Sequence, residues 1–176
     1  MDIGANVGAT AVLFANAYPQ ARIIAFEPAP GTFGLLKSNL DGVSSVETHP
    51  HGLFDKDMEA TLCQGRLDPV TRSLAEGWET GAGGDIISLK EAAQCFKSLS
   101  IDKLHILKID TEGVECQILA SLEERLPGIS GGARTEAVDP LEKARELGAD
   151  YILAKPFSPE GLVNCVEACL KGAPGR

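Results

Sequence analysis

The stretch Asp2-Ile3-Gly4-Ala5-Asn6-Val7-Gly8 runs directly into Ala9-Thr10-Ala11-Val12-Leu13-Phe14-Ala15-Asn16-Ala17-Tyr18, and its reading governs the rest of the chain. Glycines four residues apart, set between an apolar Ile3 and a run of helix formers, predict a strand-to-helix corner whose backbone is bare. The helix is expected over 9–18 and stops at Pro19. Working outward, Arg22 to Phe26 reads as a buried strand, and Thr32 to Leu40 as a second helix ended by Asp41-Gly42. Val46 to Leu53 reads as a third strand, weakened by Pro50 and Gly52.

Further along, residues 65–84 hold glycines, a proline and polar residues with no sustained period, which predicts a long loop or flap that contains Trp78. Ser88 and Glu91 have capping-box spacing ahead of a helix expected over Leu89 to Lys97. Leu104 to Ile109 reads as an apolar strand that ends in Asp110-Thr111-Glu112-Gly113, with a helix from Val114 to about Leu126. Alternation of strand and helix predicts a three-layer α/β fold, Rossmann-like and doubly wound around a mostly parallel sheet. After Pro127-Gly128 the texture changes: Asp139-Pro140 and Ser158-Pro159-Glu160 each open a helix, with a strand at Tyr151 to Ala154 between them. The expected domains are therefore 1–127 and 128–176.

Composition narrows the function. The chain has 176 residues and a formal net charge of −9, with its lysines and arginines scattered singly, so no basic stripe offers itself to nucleic acid. No stretch reaches the roughly 18 apolar residues of a membrane span. Five cysteines without a CxxC pair argue against a disulfide framework or a zinc knuckle and predict reduced thiols in the cytoplasm. Cys165 and Cys169, one helical turn apart, are expected on a shared buried face. His49, His51 and the distant His105 have no cysteine at ligand spacing, so no metal site is expected.

Three motifs carry chemistry. At the glycine corner, missing side chains let backbone N–H groups approach a ligand at a helix N-terminus. The spacing differs from the GxGxxG of a nicotinamide site, which puts an oxidoreductase in third place. Glu27, in Phe26-Glu27-Pro28 about twenty residues on, stands where an acidic side chain takes both ribose hydroxyl protons. Lys108-Ile109-Asp110-Thr111-Glu112-Gly113-Val114-Glu115 places carboxylates at the carboxyl end of a buried strand, on the same crevice. Glu115 is expected to be solvated or structural.

Together, Asp2 to Gly8, Ala25 to Pro28 and Lys108 to Glu115 resemble the FkbM family of S-adenosylmethionine-dependent methyltransferases, over residues 2–127. The resemblance implies S-adenosyl-L-methionine as cofactor, bound by Asp2, Gly4, Asn6, Gly8 and Glu27. It also implies methyl transfer to a small hydroxylated acceptor such as a sugar or secondary metabolite. Asp110 or Glu112 is the expected base or substrate-orienting group. Ile129 to Gly132, Ala144 to Asp150 and Lys155 to Leu162 resemble the last third of a response-regulator receiver domain. There Ser130 would be the switch hydroxyl and Lys155 the phosphate contact, but the receiver's acidic pair and phosphoacceptor have no counterpart. The sheet's first strand, which this pattern places at the centre, is reduced to Met1 to Ile3. The rival expectation is therefore a truncated or fused non-catalytic module with a receiver-like interaction segment.

Overall fold

A computed structural model describes residues 1–63, 84–101, 104–111, 113–122 and 159–170. The chain divides into two compact units, Met1–Ser121 and Leu122–Arg176. The first is an α/β unit built on a parallel sheet of β1 (Asp2–Ile3), β2 (Ile23–Phe26), β3 (Val46–His49) and β7 (Lys108–Ile109), in the order β3-β2-β1-β7. All four residues of β2 are buried, as strands covered on both faces must be.

The two residues of β1 hold the central position. Asp2 pairs with Ala25 on one side and Lys108 on the other, and Ile3 with Phe26 and Ile109. The Met1 carbonyl accepts from Lys108 N at 2.9 Å, and the Ile3 carbonyl from Asp110 N at 2.9 Å. Among the described residues β7 ladders with this short strand and spans Lys108–Ile109, although the apolar run that predicted it begins at Leu104.

Helix α1 (Ala9–Ala17) turns Ala11, Phe14 and Ala15 inward and ends where Tyr18 N bonds the Phe14 carbonyl, just before Pro19. Helix α2 (Pro30–Asn39) starts two residues before the expected Thr32, because Pro30 takes a first-turn position that needs no N–H. Its Leu36 is fully buried.

The strand expected over 46–53 is in fact two strands in two sheets. Pro50 has no N–H to give a ladder, and the chain breaks there between β3 and β4 (Gly52–Phe54). A second sheet, in the order β4-β6-β5, pairs β4 parallel and β5 (Met58–Cys63) antiparallel to β6 (Gly84–Glu91). The capping-box reading of Ser88 and Glu91 therefore fails: both lie in β6, and α3 (Ala92–Ser98) starts only after Glu91. Alternation decided it, with Ile87 and Leu89 buried and Ile86 70% exposed. Asp57 closes the strand's end, its Oδ1 accepting from Glu91 N at 2.8 Å and its Oδ2 from Lys90 Nζ at 3.0 Å.

Helix α4 (Glu115–Leu122) lies within the helix expected from Val114 and buries Ile118 and Leu119. In the second unit α5 (Pro159–Leu170) begins at the predicted proline and buries Val166. The expected strand at 151–154, the helix after Asp139, Trp78, Ser130, Lys155 and the side chain of Cys169 lie outside the described residues. No helix among the described residues is long and apolar enough to cross a membrane.

Two glycines separate backbone strain from crowding. Gly4 (φ +74°) and Gly42 (φ +77°) are both left-handed, but a Cβ on Gly42 would meet open space whereas one on Gly4 would collide with the Asp110 carbonyl. Gly42→Ala is expected to cost about 1 kcal/mol in urea unfolding, and Gly4→Ala about 3 kcal/mol or more. Equal losses would show that β7 does not abut the turn.

Candidate active site

The sheet order creates a switch point. From β1 the chain moves through α1 and α2 to β2 and β3 on one side, while β7 lies on the other. Ligands of open parallel sheets lie outside the strands' carboxyl ends at such a point. Gly4, Glu27 and Asp110 follow β1, β2 and β7 there.

The turn after β1 is unusual backbone. Gly4, Asn6 and Gly8 have φ of 74°, 52° and 88°. Gly4 N and Ala5 N both donate to the Phe26 carbonyl, at 3.0 and 2.9 Å, which lays the turn across the end of β2. Gly8 caps α1 without a side chain, so the helix's first N–H groups are left for other partners.

Glu27 is 8% exposed and sits against this turn. Its Oε2 accepts from Asn6 N at 2.9 Å and its Oε1 from Ala29 N at 3.0 Å. Each oxygen keeps a second lone pair, so the carboxylate is held in place yet still able to accept. Asn6 turns its own side chain to Val7 N, with Oδ1 accepting at 2.8 Å.

Asp2 lies beneath the turn and is fully buried. Its Oδ1 accepts from Lys108 Nζ at 2.7 Å, while Oδ2 is buried with no hydrogen-bond partner. Burial pushes the Asp2 carboxyl up, against the pull of Lys108 beside it. Lys108 also donates to the Gly4 carbonyl at 3.0 Å and stands 3.9 Å from Asp110 Oδ2. Sequence reasoning passed over Lys108; its signal was a cation inside an otherwise apolar strand, which must find a partner when buried. Asp110, at the end of β7, has a side chain 33% exposed and is the described carboxylate that opens on the crevice from the β7 side. Glu112 lies outside the described residues.

Glu115 is structural, one of the two roles expected for it. Its Oε1 accepts from Thr111 N at 3.0 Å and Thr111 Oγ1 at 3.2 Å, and its Oε2 from Gly113 N at 3.0 Å. Burial raises its pKa, but these hydrogen bonds outweigh burial and hold the carboxyl below its ordinary value. The Asp110–Gly113 turn is thereby tied to the start of α4.

His49 and His51 pack on the core. Phe26 stacks on His49 at 4.8 Å and meets the edge of His51 at 5.4 Å. His49 Nε2 is 3.0 Å from Glu47 Oε1. His51 Nε2 is 3.8 Å from Cys95 Sγ. Burial lowers the His51 pKa, aided by His49 and Lys90 and opposed by Asp57, and burial raises that of Cys95. Among the described residues no group of three or more His, Cys, Asp or Glu is placed to hold a metal. A cavity of about 280 Å³ lies apart from the switch point, under the turn from α2 to β3, lined by Lys37, Leu40, Val43, Val46 and Thr48 among others.

A mostly parallel sheet flanked by helices, with a bare glycine turn after its central strand, is a Rossmann-like fold of the methyltransferase type. Residues 2–134 match the model of the methyltransferase FkbM domain, and the chain belongs to that family. It is 28% identical over 144 residues to Methyltransferase 1 of Beauveria bassiana, covering 70% of this chain and 58% of that protein. It is 27% identical over 155 residues to Methyltransferase sdnD of Sordaria araneosa, covering 70% and 60%. A third relative is the AMB antimetabolite synthetase AmbE of Pseudomonas aeruginosa, 24% identical over 160 residues, which are 70% of this chain but 8% of that protein. The matches thus take in 58–60% of the first two relatives' length. No solved structure gives a significant match.

Removing Lys108 alone strands a buried carboxylate. Lys108→Met is expected to lose about 3 kcal/mol in urea unfolding, and Asp2→Leu/Lys108→Met to recover most of it. Equal stability of the two variants would show that the pair is not coupled. His51 gives a pH signature. Its folded pKa is depressed, so as pH falls through about 6.5 the unfolded chain takes up the proton first and stability drops. His51→Gln is expected to show a shallower loss between about pH 7.5 and 5.5 than the native chain; parallel curves would count against a half-buried His51 with a lowered pKa.

Proposed function

We propose that this chain is the donor-binding part of an S-adenosylmethionine-dependent methyltransferase that acts on a hydroxyl oxygen of a small acceptor such as a sugar or secondary metabolite. The observation that carries the reading is the Glu27 carboxylate, fixed by Asn6 N and Ala29 N against the glycine turn. The donor set fits. A ribose diol has two hydroxyl protons to give, and Glu27 has two oxygens with lone pairs to spare. The turn from Gly4 to Gly8 supplies backbone groups without side-chain bulk for the amino-acid end of the donor. Asp2 serves the turn from below, through Lys108 and the Gly4 carbonyl.

When bound, S-adenosyl-L-methionine supplies a methyl carbon activated by its sulfonium. The chain's own tasks are to orient an acceptor hydroxyl and take its proton. In this reading Asp110, at the carboxyl end of β7, takes that part, with Glu112 the alternative from sequence. Lys108 Nζ stands 3.9 Å from Asp110 Oδ2, so the carboxylate is within reach of a fixed positive charge. Nucleic acid is not the expected partner, given scattered positive charge on a chain of net −9. Cytoplasmic residence, expected from the cysteine pattern, is part of the same reading.

The second reading is a non-catalytic α/β module that binds the nucleoside weakly or not at all. The receiver-like likeness of residues 128–176 would then mark an interaction segment. Calorimetric titration with S-adenosylhomocysteine, beside an NAD titration, tests donor binding. The native chain is expected to bind S-adenosylhomocysteine and not NAD, and Glu27→Ala to weaken binding by about tenfold or more. A folded chain that binds neither would sink the donor reading.

A further inference from the structure

We propose that Asn39, on the last turn of α2, is a positioning residue for the donor turn: its side-chain amide fixes the Val7 carbonyl, and with it the shape in which residues 4–8 receive the donor. The inference rests on the donor-binding reading above.

The turn needs external ties. Asn6 is left-handed without being a glycine (φ 52°), a conformation that costs on the order of 1 kcal/mol and persists where its surroundings over-determine it. The ties described so far act on the first half of the turn. The Phe26 carbonyl takes Gly4 N and Ala5 N, Glu27 takes Asn6 N, and Lys108 takes the Gly4 carbonyl. Past Asn6 the turn moves out toward α1, and Val7 is 37% exposed. The Val7 N–H is taken by the neighbouring Asn6 side chain, and the α1 ladder opens one residue later, with Val12 N donating to the Gly8 carbonyl. Asn39 Nδ2 reaches across 32 positions of sequence to donate to the Val7 carbonyl at 2.8 Å.

Packing puts the amide there. A Cβ on Gly8 would lie 2.7 Å from Leu36 Cδ1 and 3.6 Å from Leu40 Cδ1, so the bare Cα of Gly8 is the seat on which α2 rests. Leu36 and Leu40 are four residues apart, on one face of the helix end, and both are buried. With that face seated, the neighbouring Asn39 falls over Val7. Asn39 itself is exposed, so it contributes little to the core. The absent side chain at Gly8 therefore serves helix docking, and docking in turn delivers the amide that secures the outer half of the turn.

The test uses the full chain with Asn39→Leu, Asn39→Asp and the exposed neighbour Ser38→Ala as control. Thermal melting, amide hydrogen exchange of residues 4–9 and titration with S-adenosylhomocysteine are measured on each. Both Asn39 variants are expected to melt within about 2 °C of the native chain, to exchange faster at Asn6, Val7 and Gly8, and to bind about fivefold more weakly. Ser38→Ala is expected to match the native chain. Unchanged exchange and affinity in Asn39→Leu would overturn the proposal. So would a large fall in melting temperature with faster exchange throughout, which would assign Asn39 to the fold at large. If the native chain does not bind S-adenosylhomocysteine, the donor reading fails, and the exchange at residues 6–8 alone decides whether Asn39 holds the turn.

Discussion

One buried ammonium holds the site together. Lys108 on β7 bonds the carboxylate of Asp2, 106 positions away, and the carbonyl of Gly4. Without it Asp2 would be a carboxylate fully removed from water with no partner, the arrangement protein interiors tolerate least. Without Asp2, the cation would sit nearly buried in a strand flanked by apolar residues. Each makes the other affordable, and both lie directly under the turn that the ligand would meet.

The pair contributes less to stability than to register. A buried ion pair roughly breaks even against well-packed apolar side chains. Its value here follows from the pairing of Asp2 with Lys108 in the β1–β7 ladder. A slip of one residue would bring Ile109 opposite Asp2 and send the ammonium to the other face. Two-residue strands have few hydrogen bonds with which to resist slippage, and the ion pair supplies the discrimination that strand length does not. Glu115 plays the matching part at the other end of the motif, where it gathers the N–H groups of Thr111 and Gly113 and shapes the turn that carries Asp110.

Local patterning made much of this visible in the sequence. The glycine turn, the buried β2, the first two helices and the parallel order follow from residues whose signals are short-range: Gly4 and Gly8, the apolar run to Phe26, Pro19 and Asp41-Gly42. Glu27 was legible because its place after a buried strand determines its surroundings. What escaped was non-local. Ile86 to Lys90 can serve helix or strand on local grounds, and only partners on both sides, β4 and β5, make it a strand. Lys108 shows locally only as a cation in an apolar run and Asn39 has no local signature, since their partners lie in a turn distant in sequence. Glu112, Ser130 and Lys155 remain readings of sequence.

The contact between Gly4 and the Asp110 carbonyl ties the two sides of the crevice mechanically. A Cβ on Gly4 would collide with the Asp110 carbonyl, so the glycine turn meets the end of β7 main chain against main chain. Side chains absorb small displacements by changing rotamer, but backbone against backbone has no such compliance. A displacement of the end of β7 would therefore move the glycine turn by a similar amount. The two sides of the crevice behave as one stiff jaw whose spacing is a property of the main chain.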